Sequence, residues 1–306
     1  MAAAGAAAER LDLLDPHEVA GLGGIELVAE GVVEGFLSGL HRSPYRGFSV
    51  EFAEHRPYQP GDELRYLDWK VVGRRDRLYV KQYEEETNLR ATIVLDVSRS
   101  MAWSGDRERR LTKFDYATRM AAALALVLLR QRDATGLIAF DDDVRLAIPP
   151  RTRAGQWHAV ARALVGLEAG GGTAAERALA RVTDLLRRRG LVVFVSDLLV
   201  ERELVLLALR YLRHHGHQVV VFHLMDPAER ALDRAVEARF VDPETGEGVV
   251  ASPRDLAREY RGTVDRVISA WRSALRSSGI GYHHVTTETP FGHALRRAAA
   301  GRARLG

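Results

Sequence analysis

The chain has 306 residues, 46% hydrophobic and 28% charged, enough for one large domain or two modest ones with a core of ordinary size. It contains no cysteine, which excludes disulfides, thiolate metal sites and a cysteine nucleophile, and fits a reducing compartment. A formal net charge of only +3 makes no demand for nucleic acid, despite a pI of about 9.3.

Residues 1–15 lack a basic start followed by a leucine-rich core, so they read as a loose leader rather than a signal peptide. Over residues 16–41, Val19, Leu22, Ile25, Val28, Val32, Phe36 and Leu40 recur at three- and four-residue steps. That is a helical period, weakened at its start by Gly21, Gly23 and Gly24. From His41 to Asn88 the chain is rich in Arg, Tyr, Glu and Gly and is broken by Pro57, Pro60 and Gly61. Such a segment has too few aliphatic residues to build a core, so residues 16–88 are expected to be an appended unit: an N-terminal helix and a polar segment.

Strand–helix alternation begins at Leu89. Ala91–Leu95 reads as a buried strand and Phe114–Arg130 as a long helix. Ala134–Phe140 and Val144–Ile148 read as a hairpin around Asp141-Asp-Asp143. Helices are predicted over Gln156–Leu167, Ala174–Arg189 (ended by Gly190) and Glu201–His214, with strands over Leu191–Ser196 and Gln218–Leu224. Ala238–Asp242 and Gly248–Ala251 bracket a turn at Pro243-Glu-Thr-Gly246. A long helix over Pro253–Ser278, a strand over Gly281–Thr286 and a basic helix over Phe291–Arg304 follow. The alternation predicts an α/β fold for residues 89–306: a doubly wound, mostly parallel sheet flanked by helices. No stretch reaches the ~18 apolar residues of a membrane span. The nearest, Met120 to Leu129, is bounded by Arg119 and Arg130, and the expected location is cytoplasmic.

The informative residues lie at strand ends. Asp96, Ser98 and Ser100 directly follow the first buried strand, and in open α/β sheets ligands bind at the C-terminal ends of strands. Gly170-Gly-Gly-Thr173 precedes a helix and offers a hydroxyl on a loop the glycines keep narrow. Asp197 follows a second buried strand. Asp96, Ser98, Ser100, Thr173 and Asp197 thus present three hydroxyls and two carboxylates from three loops. Hard oxygen donors suit Mg²⁺, with Mn²⁺ or Ca²⁺ as alternatives. Neutral hydroxyls bound directly would leave the metal electrophilic and open to a carboxylate from a partner, which suits binding better than hydrolysis.

This Asp-x-Ser-x-Ser, Thr, Asp set resembles the metal-ion-dependent adhesion site, MIDAS, of von Willebrand factor type A domains. His41-Arg-Ser-Pro44, Gly47 to Arg56, Tyr58-Gln-Pro-Gly-Asp62, Arg65-Tyr-Leu-Asp-Trp69 and Tyr79 to Thr87 resemble the signature of the bacterial "domain of unknown function 58" family. Asp226-Pro-Ala-Glu229 and Asp242-Pro-Glu-Thr-Gly246 are similar to its later segments, so the resemblance runs from about Leu27 to Arg302. It implies a von Willebrand factor type A-like fold. Ser98 and Ser100 would touch the metal, Thr173 would do so directly or through water, and Asp96 and Asp197 mainly through water. It also implies a protein partner, a MoxR-type AAA+ ATPase or a client protein, in a chaperone-like complex. The chain itself has no Gly-x-x-x-x-Gly-Lys-[Ser/Thr] loop.

Other residues read as structural. Asp141-Asp-Asp143 suits a solvated hairpin turn, and His214-His-Gly-His217 a helix C-terminus closed by Gly216. His283 and His284 alternate across a strand and cannot share a site. Glu51, Glu54, His55, Arg56, Asp62, Arg65, Asp68, Lys70, Arg74 and Arg75, anchored by Tyr66 and Trp69, suit an ion-pair network or a partner surface. Arg296, Arg297, Arg302 and Arg304 suit a solvated helix end. No His or Lys is expected beside the candidate ligands to act as a base, and nucleophile-elbow and Ser-x-x-Lys patterns are absent, so no enzymatic activity is expected. A metal-assisted hydrolase on the same cluster and a nucleic-acid-binding module are the alternatives.

Overall fold

A computed structural model describes residues 25, 29–30, 51–57, 78–84, 89–172, 175–230, 238–241, 248–251 and 253–292. The leader, most of the helix expected over 16–41, residues 58–77 of the polar block, Thr173 and the basic residues beyond 292 lie outside them. The chain divides into two compact units, Pro44–Asn88 and the remainder.

In the smaller unit, β1 (Glu51–Pro57) pairs antiparallel with β2 (Tyr79–Glu84), and the register shifts between Phe52 and Glu54. No strand is expected in this block from its few aliphatic residues, but Phe52, Tyr79, Val80 and Tyr83 are strand formers in their own right.

The larger unit is built on six strands: β3 (Arg90–Asp96), β4 (Ala134–Phe140), β5 (Val144–Arg151), β6 (Leu191–Ser196), β7 (Gln218–Met225) and β10 (Gly281–Thr286). Their order is β10-β7-β6-β3-β4-β5, parallel throughout except for β5, which turns back along β4 as a hairpin. The edge position lets β5 run through Pro149 and Pro150, beyond the end expected at Ile148, because an edge strand tolerates missing N–H donors. A separate antiparallel pair, β8 (Ala238–Val241) and β9 (Gly248–Ala251), matches the strands expected there.

Side chains alternate across the sheet, so each inner strand feeds two cores. On one face Ile93 and Leu95, Leu137 and Ala139, Val193 and Val195 pack against α1 (Lys113–Arg130) and α2 (Gln156–Val165). Ile25 and Ala29 join this cluster. On the other, Val94, Ile138, Val192, Phe194 and Val221 meet α3 (Ala175–Leu185), α4 (Arg202–His214) and, after the short α5 (Pro227–Arg230), α6 (Pro253–Ser277). The doubly wound sheet expected from the alternation is therefore observed. α1 is buried almost all round from Met120 to Leu128, which explains a run that is apolar yet too short to span a bilayer. Among the described residues no helix is long and apolar enough to cross a membrane.

α3 stops at Leu185, four residues before the expected end at Arg189. The chain must turn there because Leu186 is buried and its carbonyl accepts from His217 Nε2 at 2.8 Å. Gly190 then passes so close to the Arg90 carbonyl that an added Cβ would lie 2.1 Å from its oxygen.

From β3 the chain crosses by α1 to β4 on one side, then returns through α2 and α3 to β6 on the other. The crevice beyond the C-terminal ends of β3 and β6 is thus the switch point of the sheet, the usual place for a ligand in such folds.

Candidate functional site

Asp96 is the last residue of β3 and is buried. Its Oδ1 accepts from the Ser98 backbone N–H at 2.9 Å, and its Oδ2 accepts from the Ser196 hydroxyl at 2.6 Å. Ser196 ends the neighbouring strand β6, so a single hydrogen bond ties the two strand ends together. The chain leaves β3 through Ser98 into a 3₁₀ turn, Arg99–Ala102, which folds Ser100 back beneath it. The Ser98 and Ser100 hydroxyls are buried and hydrogen-bonded to each other at 3.2 Å.

The same spacing is compatible with a shared cation. Two neighbouring oxygens of an octahedron with bonds of about 2.1 Å lie about 3.0 Å apart. The glycine loop also reaches the site: Gly170 N–H donates to the Val97 carbonyl at 2.9 Å. Thr173, three residues on, lies outside the described residues. Of the five residues singled out in the sequence, four are described, and all four lie at the C-terminal ends of β3 and β6. Asp96, Ser98 and Ser100 share one hydrogen-bonded loop, and the two hydroxyls fit direct coordination. Asp197 reaches the same place from the other strand, but its carboxylate is already engaged.

The engaging group is Lys113, and it corrects the expectation that no lysine stands beside the ligands. Lys113 is the first residue of α1, is fully buried, and extends its ammonium to Asp197 Oδ2 at 2.8 Å and to Glu229 Oε1. Asp197 Oδ1 accepts from Leu199 N–H at 3.2 Å. Glu229 is fixed in turn, since its Oε2 accepts from Asp226 N–H at 2.7 Å. Lys113 is 84 residues from Asp197 and 116 from Glu229, so no local motif announces the contact. One signal was available: a cation in the first turn opposes the helix dipole, so a lysine there needs another reason.

The electrostatics follow from burial. Burial, with the nearby Asp197 charge, raises the Asp96 carboxyl to about 6, against hydrogen bonds from Ser196 and Ser98. Burial acts to lower Lys113, but the Asp197 and Glu229 carboxylates outweigh it and hold the ammonium above its ordinary range. Glu229 is pushed up by burial and only partly relieved by Lys113. Behind the site, His223 of β7 is buried, its Nδ1 2.8 Å from the Tyr282 hydroxyl; burial and the neighbouring His284 depress it to about 3.

Asp141 departs from the solvated turn expected of it. It is buried, accepts from Arg145 Nε at 2.5 Å, and lies under Gly171. An added Cβ on Gly171, whose φ is +76°, would come within 2.2 Å of Asp141 Oδ2. The hairpin thereby buttresses the loop that leads to Thr173. The histidines behave as structural groups. His215 Nδ1 meets the Tyr211 carbonyl, Gly216 closes the helix with φ +85°, and His283 and His284 lie against different neighbours, Phe222 and His223. Among the described residues no three His, Asp or Glu side chains converge as metal ligands, so any cation here relies on hydroxyls. A cleft of about 510 Å³ runs beside the site, lined by Ala102, Arg107, Arg110, Phe114, Glu168 and Ala169 among others.

The model of the family described as "Protein of unknown function DUF58" matches residues 54–266. The uncharacterized protein Mb1516 of Mycobacterium bovis is 29% identical over 246 residues, which cover 78% of this chain and 74% of that protein. Among solved structures, an aerotolerance-related membrane protein from Bacteroides fragilis is similar over 71% of this chain and 99% of that one, with 16% identity and a TM-score of 0.48. The SpRpn10 VWA domain is similar over 68% and 94%, with 14% identity and a TM-score of 0.39.

Proposed function

Because the chain belongs to the DUF58 family, we propose that it is a metal-ion-dependent protein-binding adaptor rather than an enzyme. The observation that carries this is the buried Ser98–Ser100 hydroxyl pair, 3.2 Å apart, set on a loop braced by Asp96. Ser98, Ser100 and Thr173 would hold Mg²⁺, with Asp96 and Asp197 mainly behind water. When bound, the metal supplies an electrophilic open position for an acidic side chain of a partner. Asp96 braces the loop that carries the two hydroxyls by accepting from Ser98 N–H, and the Ser196 hydroxyl ties it to the end of β6. The partner in this reading is a protein, a MoxR-type AAA+ ATPase or its client, met in the cytoplasm in a chaperone-like maturation or regulatory complex.

Binding is favoured over metal-assisted hydrolysis by the state of Lys113. Its ammonium is fully buried, satisfied by two carboxylates and held charged, so it is a poor base at neutral pH. A pull-down from native lysate with the full chain, in Mg²⁺ and in EDTA, tests the reading, with Asp96→Ala as control. A partner retained by the wild type in Mg²⁺ and lost in EDTA and in Asp96→Ala is expected. The same proteins retained under all three conditions would remove the metal site from recognition.

A further inference from the structure

Lys113 has no part in a plain hydroxyl–carboxylate metal site, yet it is the group most firmly built into this one. We propose that Lys113 is a tethered counter-cation that competes with the divalent metal for Asp197, so that metal entry hands the ammonium over to Glu229. The inference rests on the metal-site reading above and concerns its regulation.

Three observations carry it. First, the ammonium is fully buried and its two hydrogen-bonded partners are the carboxylates of Asp197 and Glu229. A desolvated ammonium cannot stay without a carboxylate, and a carboxylate shared with a divalent cation cannot hold both cations without repulsion. Secondly, both Asp197 oxygens already accept a hydrogen bond, Oδ2 from Lys113 and Oδ1 from Leu199 N–H. The charge expected to serve the metal is therefore shared with the ammonium. Thirdly, Glu229 is an acceptor prepared to take the ammonium alone. Asp226 N–H holds its second oxygen at 2.7 Å, and the Tyr260 hydroxyl donates to its backbone carbonyl at 2.7 Å. Glu229 sits on α5, beyond the end of β7, so metal occupancy would be felt outside the three ligand loops.

Lys113 and Glu229 then pull in opposite directions on metal affinity, and this separates the proposal from simple damage. Mn²⁺ binding to the full chain, followed by electron paramagnetic resonance, should tighten by about tenfold in Lys113→Met, where the competing charge is gone and the buried volume is filled. It should weaken by a similar factor, about tenfold, in Glu229→Gln, where the ammonium loses its alternative acceptor and stays on Asp197. Circular dichroism and thermal melts report whether each variant folds; if Lys113→Met does not, Glu229→Gln decides alone. Wild-type binding with neither variant shifted, or with Lys113→Met folded and weaker, would overturn the inference while leaving the metal site standing. No Mn²⁺ binding in any of the three proteins would overturn the metal reading and this inference with it.

Discussion

Asp96 illustrates how a binding residue works against the fold that holds it. Its carboxyl is raised from 3.8 to about 6, chiefly by burial. A raised acid means that the folded state holds more protons than the unfolded one between about pH 4 and 6, so stability falls as pH rises through that window. At pH 7 the ionised group costs on the order of 3 kcal/mol. Asp96→Asn keeps the shape, leaves the Ser98 N–H its acceptor and lets the Ser196 hydroxyl turn to accept. In the absence of metal this variant should be more stable than the wild type by about 1–3 kcal/mol at pH 7, read by urea unfolding. Its Mn²⁺ affinity should fall at least about tenfold, since one unit of charge leaves the site. A variant that is less stable without metal and binds Mn²⁺ unchanged would mean that Asp96 is merely a turn-forming residue. The sequence showed Asp96, Ser98 and Ser100 clearly because all three lie within five residues at a strand end. Lys113 was hidden because topology, not spacing, brings it to Asp197.

α1 shows what local signals do and do not determine. Thr112 caps it: its hydroxyl accepts from Asp115 N–H at 3.0 Å and donates to Asp115 Oδ2 at 2.7 Å. Thr112→Ala should cost about 1 kcal/mol, the usual value of an N-cap, and lower the melting temperature by roughly 1–2 °C for a chain of this size. Thr112→Ser should restore most of it; an unchanged melting temperature in the alanine variant would show that packing alone fixes the helix start. The cap also sets the position of Lys113, the next residue, so the helix start and the site are one piece of construction. The helices and inner strands were legible because their apolar periods are strong. Their ends were less so: α3 stops at Leu185 because of Leu186 burial and the His217 contact, neither of which has a local mark in the sequence. β1 and β2 carry no alternating aliphatic pattern in the sequence and rest instead on aromatic residues and Val80.

Across the whole molecule, two buried titrations oppose each other. His223 is depressed from 6.5 to about 3, mainly by burial, so between those values the unfolded chain holds the extra proton. Stability therefore rises with pH from about 3 to 6.5, by about 1.4 kcal/mol per unit. Asp96 has the opposite sign between about 4 and 6, so over that range the two contributions nearly offset. Glu229, also raised, adds to the Asp96 side. The buried polar groups at the strand ends thus mask one another in a plain acid-denaturation curve, and only a difference measurement separates them. His223→Gln keeps an acceptor near the Tyr282 hydroxyl and removes the titration. Any loss from imperfect packing in the variant is constant with pH, so the slope is what identifies the histidine. Urea unfolding of both proteins from pH 7 down to 4 should show wild-type stability falling against the variant by about 1.4 kcal/mol for each unit below 6.5. On acidification from about 6 to 4 the variant should lose less stability than the wild type, because Asp96 takes up its proton with only His217, also lowered by burial, left to oppose it. Parallel curves for the two proteins would mean that His223 accepts a proton in the folded state as readily as in the unfolded one.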